Sequence, residues 1–328
     1  MRRREVLSLV AGWSALLGGA HAQSERTRRV SVLMGLSQYD HEAQGRLAAF
    51  RNGLREAGWS EDRNINIETY WAAGDVELTR KHAAEIVRSS PDAILVNTPP
   101  GMIALQKETT TIPIVFMQVV EPTESGAVAN PARPGGNVTG FTHLYEYSIV
   151  GKWLALLKEV APNTARAMAL QNPAHPSWPG YLRALEAAAA SMGVKAMPGP
   201  VRSEAEIDAT ITELAQEPDS GLIVLADSFT AVHRDKIVSL AERHRIPAVY
   251  PLLYFAPSGG LITYGADLVD LAGLAASYVD RILRGANPGD LPIQSSTRFK
   301  LIINLRTARK LGIVVPPLLL ARADEVIE

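Results

Sequence analysis

The chain has no cysteine in 328 residues. That excludes a thiolate nucleophile, a Cys-ligated zinc site and a disulfide framework, so an oxidising compartment would have to be tolerated without covalent staples. An excess of one charge is missing too. Lys and Arg total 33 against 34 Asp and Glu, a formal net charge of −1, with no basic block past the extreme N-terminus and hence no electrostatic footprint for nucleic acid. No apolar run approaches the roughly 20 residues that a membrane-spanning helix needs. Motifs of group-transfer chemistry are also lacking: there is no Walker A loop, no G-x-G-x-x-G after the first strand, no G-x-S-x-G, and none of the seven histidines stands in H-E-x-x-H. No catalytic residue, metal or cofactor is therefore expected. What the chain does have is 47% hydrophobic residues and length enough for two domains with a core each.

The N-terminus reads as an export leader. Arg2-Arg3-Arg4 forms a charged start, Val6–Ala20 a weakly apolar stretch, and Ala20-His21-Ala22 a small-x-small cleavage pattern. Cleavage after Ala22 would leave Gln23 as the new terminus, with no stable membrane insertion thereafter. Arg3–Leu7 (R-R-E-V-L) also resembles the twin-arginine export signal. The expected location is the periplasm. The alternative, an uncleaved anchor, is disfavoured by the shortness of the apolar run.

From Arg29 onward, short β-branched runs alternate with amphipathic helical stretches. Strands are expected at Arg29–Leu36, Asn64–Tyr70, Pro91–Val96 and Ile112–Met117, separated by helices, one of them capped by Asp75. Asn130–Thr142 (N-P-A-R-P-G-G-N-V-T-G-F-T) interrupts the alternation. Two prolines and a glycine pair bar a helix there, and the stretch reads as the first crossing between two lobes. The alternation then resumes with strands at Arg166–Leu170, Val194–Met197, Gly221–Ala226, Ile246–Tyr250, Gly259–Tyr264 and Arg298–Asn304, and with a Ser203/Glu206 capping box. The pattern predicts α/β architecture in two doubly wound parallel-sheet lobes. Residues 28–139 and 255–292 would form the first lobe and residues 140–254 and 293–328 the second, joined by three hinge crossings, the later two near Tyr250–Pro257 and Leu291–Thr297.

Ligands of such sheets bind beyond the carboxyl ends of the strands. In the first lobe those ends read Ser37, Gln38 and Tyr39, then Asn97 and Thr98, then Gln118 through Glu121; in the second they read Asn172, then Asp227 and Ser228. All can exchange hydrogen bonds with a polar ligand. Each has a plainer alternative as a helix cap or turn residue. Gln38, Thr98 and Gln118 from one side and Asn172 and Asp227 from the other are the leading candidates, with Tyr250 at the hinge. Asp227 suits a ligand ammonium group, and backbone N–H groups after Thr98 suit a carboxylate. Together they suggest an amino acid or related zwitterion. Tyr39, Tyr250 and Tyr254 could form a stacking wall, and His143 is the histidine nearest the first crossing.

Several longer motifs carry a family resemblance: Ala49–Trp59 (A-F-R-N-G-L-R-E-A-G-W), N-P-A-R-P-G-G-N-V-T-G-F, Tyr278–Pro292 and Phe299–Ala323. Together they resemble the periplasmic substrate-binding proteins of ABC transporters, in the branch often linked to tryptophan or tyrosine uptake. The resemblance implies a type I periplasmic-binding fold that closes by a hinge around a small molecule and delivers it to a transporter permease. No enzymatic activity and a monomer are expected. Two departures fall where the pocket or hinge is expected: Val119-Val120-Glu121-Pro122 replaces V-G-D-P, and Pro251–Ser258 replaces a charged R-E-F-type segment. The resemblance is thus specific for the family and not for the ligand. Two other classes remain open, a ligand-sensing module that docks on a membrane receptor and an α/β enzyme.

Overall fold

The structure is a computed structural model. It describes residues 26–119, 122–123, 128–142, 147–295 and 298–328. The expected leader, Glu121 and His143 lie outside these residues.

The first lobe opens with β1 (Arg28–Met34), α1 (His41–Glu56), β2 (Ile65–Trp71), α2 (Val76–Ser89), β3 (Ala93–Val96), α3 (Pro99–Glu108), β4 (Ile114–Met117) and β5 (Val138–Thr142). After the first crossing come α4 (Ile149–Val160), β6 (Arg166–Gln171), α5 (Trp178–Ser191), β7 (Lys195–Pro200), α6 (Glu204–Leu214), β8 (Ser220–Val224), α7 (Ser228–Val232), α8 (Arg234–Arg243), β9 (Ala248–Tyr250) and β10 (Ile262–Ala266). The chain returns through α9 (Leu268–Leu283) and β11 (Gln294–Ser295), then ends in β12 (Phe299–Asn304), α10 (Leu305–Leu311), α11 (Pro317–Leu320) and β13 (Glu325–Ile327). Among the described residues, one sheet runs β11-β5-β4-β3-β1-β2 and the other β13-β12-β10-β9-β8-β6-β7. The β10–β12 pair is antiparallel and every other pair is parallel.

The elements follow from their residues. β1, β3 and β4 sit inside a sheet covered on both faces, so they read as continuous apolar runs and are buried along nearly their whole length. β7 carries Pro198 and Pro200, which lack the N–H a central strand must donate, and it lies at the sheet edge. Asp75 accepts from the Leu78 N–H at 3.0 Å and Ser203 from the Glu206 N–H at 3.2 Å, as the caps predict. Asp40 caps α1 in the same way, accepting from the N–H groups of Glu42 and Ala43.

The sheets divide the chain differently from the sequence boundaries. β5 runs to Thr142 and pairs with β4, so the first crossing begins beyond the Pro/Gly-rich stretch. That stretch packs instead on the returning segment: Gly135 N–H donates to Gly289 O, and Ile293 N–H to Pro131 O. β10 pairs with β9 and β12, so residues 255–266 go with the second lobe and the second crossing falls between Ala266 and Leu268. β11 pairs with β5, which moves the third crossing beyond Ser295. α9 then packs on α1, close enough that a Cβ on Gly53 would stand 2.7 Å from the Ala276 Cβ. Trp59 Nε1 fixes the contact by donating to Asp280 Oδ1 at 2.8 Å. Gly53 and Trp59 of the Ala49–Trp59 motif are thus packing residues of the first lobe.

Candidate functional site

The carboxyl ends of the two sheets face each other across a cleft. On the first-lobe side, β1 leads into Gly35, whose N–H donates to the Asn97 Oδ1 at 2.8 Å and whose carbonyl accepts from Gly74 N–H. Asn97, 1% exposed, therefore ties the end of β3 to the end of β1. Thr98 caps α3, its Oγ1 accepting from the Gly101 N–H at 3.2 Å. Gln118 stands at φ +62, in the left-handed region, and its Oε1 accepts from Arg46 Nη1 at 2.7 Å.

On the second-lobe side, Gln171 Nε2 donates to the Ala226 carbonyl and joins the ends of β6 and β8. Asp227 brackets the same two ends. Its Oδ1 accepts from the Phe229 N–H at 3.0 Å and its Oδ2 from the Asn172 N–H at 2.9 Å. His175 lies in the turn after β6, its Nδ1 against Ser177 Oγ at 2.7 Å and accepting from the Ser177 N–H. That leaves the proton of the neutral ring on Nε2. Burial pushes the His175 pKa down, and the nearby Asp227 carboxylate opposes the shift.

The lobes meet tightly at the centre. A Cβ on Gly35 would overlap Thr98 Cγ2 and stand 2.7 Å from Ser228 Oγ. Towards the hinge, Arg234 Nη1 of α8 reaches across to Asp40 Oδ2 at 2.6 Å. Tyr254 is held between two guanidinium groups, with Arg46 at 5.4 Å and Arg234 at 5.6 Å from its ring centre. Burial pushes the Tyr254 pKa up to about 12, and Arg46 works against that rise.

Two adjacent cavities lie between the lobes among the described residues. The outer one, about 280 Å³, is faced by Gly74, Val76, Thr79, Arg80, Ile103 and Lys107 from one side and by Asn172, His175, Ser228 and Phe229 from the other. The inner one, about 30 Å³, is faced by Arg46, Asn97, Gln118, Leu252 and Tyr254. Thr98, His175, Asp227 and Ser228 line both.

Asn97, Thr98, Gln118, Asn172, Asp227 and Ser228 are therefore brought together at one cleft. Three of the expected residues are not. Ser37 accepts from the Tyr39 N–H within its own turn and Gln38 is exposed, its carbonyl taken by Gln44, so neither faces a cavity. Tyr250 is 1% exposed and stacks on Phe255 at 4.8 Å inside the core, where burial drives its pKa upward. Of the proposed stacking wall, Tyr39 is 84% exposed and only Tyr254 reaches the cleft.

The expected carboxylate seat after Thr98 fails for a chemical reason. The first two residues of α3 are Pro99 and Pro100, which have no N–H, and the third N–H, of Gly101, is spent on Thr98. Sequence reasoning also missed Gly35, Arg46 and His175. Arg46 left a signal, since it lies three residues after Ala43 and four before Phe50, on the apolar face of α1 where a charge is out of place.

The chain is similar along most of its length to proteins already described. It is 25% identical over 325 residues to the tyrosine-binding protein of Clostridioides difficile (strain R20291), covering 95% of this chain and 93% of that one. Among solved structures, a conserved domain protein from Vibrio cholerae O1 biovar eltor str. N16961 superposes with a TM-score of 0.86 at 27% identity, over 92% of this chain and all of the other. The ABC domain from Streptococcus pneumonia in complex with L-Trp shares the fold, with a TM-score of 0.84 at 24% identity over 92% of this chain and 100% of that one. The curated relative is a binding protein rather than an enzyme, which sets the enzymatic alternative aside. The sequence model of the family described as ABC transporter substrate binding protein matches residues 36–327, and the chain belongs to that family.

Proposed function

We propose that this protein captures an amino acid or a closely related zwitterion in the cleft between its lobes and presents it to an ABC transporter permease. The observation that carries the reading is the pair of adjacent cavities faced by both lobes, with Asp227 lining both. Both carboxylate oxygens of Asp227 accept one backbone N–H each and keep lone pairs for a ligand ammonium group. The outer cavity, with Val76, Ile103 and Phe229 in its wall, suits an apolar or aromatic ligand side chain. The similarity to a tyrosine-binding protein and to an L-Trp-bound domain supports the same ligand class.

Because each lobe supplies part of the contact set, the ligand interacts more strongly with the closed arrangement and shifts the population towards it. The family is typically extracytoplasmic, and among the described residues no helix is long and apolar enough to cross a membrane. Export to the periplasm with cleavage after Ala22, and a monomeric state, complete the proposal.

A thermal-shift screen tests it. An amino acid at about 100 times its Kd stabilises the native state by about 2.7 kcal/mol, a plainly visible shift. Small-angle scattering on the hit should show a decrease in radius of gyration. Stabilisation by sugars alone would retain a binding protein and discard the zwitterion.

A further inference from the structure

We infer that Arg46 is the carboxylate anchor of the bound ligand, holding it in the inner cavity. This rests on the proposed capture of a zwitterion between the lobes.

Arg46 is 2% exposed, in the middle of the buried face of α1. Its Nε is paired with Glu42 Oε1 at 3.0 Å and its Nη1 with Gln118 Oε1 at 2.7 Å. Its Nη2 is fully buried and has no hydrogen-bond partner. A guanidinium nitrogen sealed from water without an acceptor is costly. Here the residue lines a cavity of about 30 Å³, room for about two water-sized groups, which matches a carboxylate and is too small for a ring. The planar guanidinium is held from three sides, by Glu42, by Gln118 and by the face of Tyr254. These contacts fix the orientation of the guanidinium, so a small opening of the cavity wall is enough to bring an anion onto Nη2.

The other groups around the inner cavity agree. Its charged wall residues are Arg46 and Asp227, one of each sign, on opposite lobes. Asp40 and Glu42, the nearby acids, are turned to Arg234 and to the Nε side of Arg46 and do not line the space. The helix end that might have taken a carboxylate is blocked by Pro99 and Pro100. A zwitterion with its carboxylate on Arg46 and its ammonium on Asp227 spans the two lobes, so that the charges themselves drive closure. The ligand side chain then points into the outer cavity.

The test compares acids with their amides. Purified protein is titrated calorimetrically with L-tyrosine, L-tryptophan and any other proteinogenic L-amino acid that stabilises it in the thermal screen, and with the primary amide of each. A set of sugars and polyols serves as the uncharged control. The wild-type protein should bind each acid roughly 10- to 100-fold more tightly than its amide. Arg46→Gln should lose that acid/amide ratio, and Arg46→Lys should retain part of it. The ratio on wild-type protein needs no variant, so a folding defect in Arg46→Gln does not blunt the test. An amide that binds as tightly as its acid overturns the assignment, as does Arg46→Gln keeping the ratio. Binding of sugars alone, unaffected by Arg46→Gln, removes the carboxylate anchor and leaves capture in the cleft standing. Binding of none of these compounds removes both.

Discussion

The two walls of the cleft are built from similar polar residues at corresponding strand ends, yet they contribute differently. On the first-lobe wall the polar side chains spend an oxygen each on the fold: Asn97 holds Gly35, Thr98 holds Gly101, and Gln118 holds Arg46. The charged first-lobe group with spare capacity at the inner cavity is Arg46, which comes from a helix and not from a strand end. On the second-lobe wall, Asp227 and His175 are also tied to backbone or neighbouring side chains, but each retains a lone pair or an N–H that the fold does not use. A polar residue at a strand end is thus more often a fixture than a contact. What matters is the bonding capacity that remains after the local structure is satisfied.

The strongest way to break this contrast is at Asp227. Asp227→Ala removes the N-cap of α7 and frees the Asn172 N–H, which should lower stability by about 2 kcal/mol. It should also weaken ligand binding about 100-fold, by leaving the ammonium unpaired. Asp227→Asn keeps an acceptor for the backbone and loses the charge. It should recover most of the stability and little of the affinity. Urea unfolding alongside calorimetry separates the two, and equal recovery of both would reduce Asp227 to a cap.

A first-lobe change with a smaller effect is Gly35→Ala. Its backbone conformation accepts a side chain, but the added methyl meets Thr98 of its own lobe and Ser228 across the closed cleft. Overpacking of this kind costs about 1–3 kcal/mol; the Thr98 part falls on the fold in either arrangement and the Ser228 part on the closed state alone. Affinity should drop about tenfold or more, with a smaller fall in the melting temperature of ligand-free protein. Unchanged affinity would mean that the lobes need not touch at Gly35 when a ligand is bound.

Much of this arrangement could be read from the residues, and the rest could not for identifiable reasons. The strand–helix alternation and the caps at Asp75 and Ser203 depend on local chemistry and were readable. The second crossing was misplaced because a strand looks the same whether the chain crosses before or after it. Only the pairing of β10 with β9 and β12 assigns it to the second lobe. Tyr250 was expected at the hinge because it ends a strand, and it lies instead against Phe255 in the core. The carboxylate seat after Thr98 could have been rejected from the sequence, since Pro99 and Pro100 announce the missing donors. Arg46 needed the structure, because neither the neighbour that Nη2 lacks nor the cavity beside it is written in a periodicity.

Towards the hinge the two walls are joined directly, by Arg234 and Asp40. Asp40 also caps α1, so Arg234 is the cleaner site to change. Arg234→Gln should weaken ligand binding about fivefold, about 1 kcal/mol, through faster release from a less stable closed form. The pair is partly shielded, with side-chain exposures of 19% and 8%, so raising salt should reproduce only part of the loss. Stopped-flow dissociation at low and high salt measures both effects.

The smallest expected effect lies on the second-lobe wall, at His175. Burial lowers its pKa in the folded protein from the ordinary value of 6.5, and Asp227 opposes this only in part. The folded state therefore prefers the neutral ring. Between its depressed folded pKa and 6.5 the unfolded chain binds more protons than the native one, so stability rises with pH across that window. The stability is fully present above 6.5 and is lost as pH falls towards the folded value. His175→Gln keeps a hydrogen-bonding side chain and removes the titration, so its denaturation midpoint should be flatter than that of the wild type on acidification below about pH 6.5. Since Nδ1 accepts from Ser177, protonation also costs that local bond, and the turn that carries Asn172 should loosen first. Hydrogen exchange at residues 172–177 on either side of pH 6.5 would detect this before any global change, and pH-independent exchange beyond the intrinsic base catalysis would show that the ring does not titrate in this window.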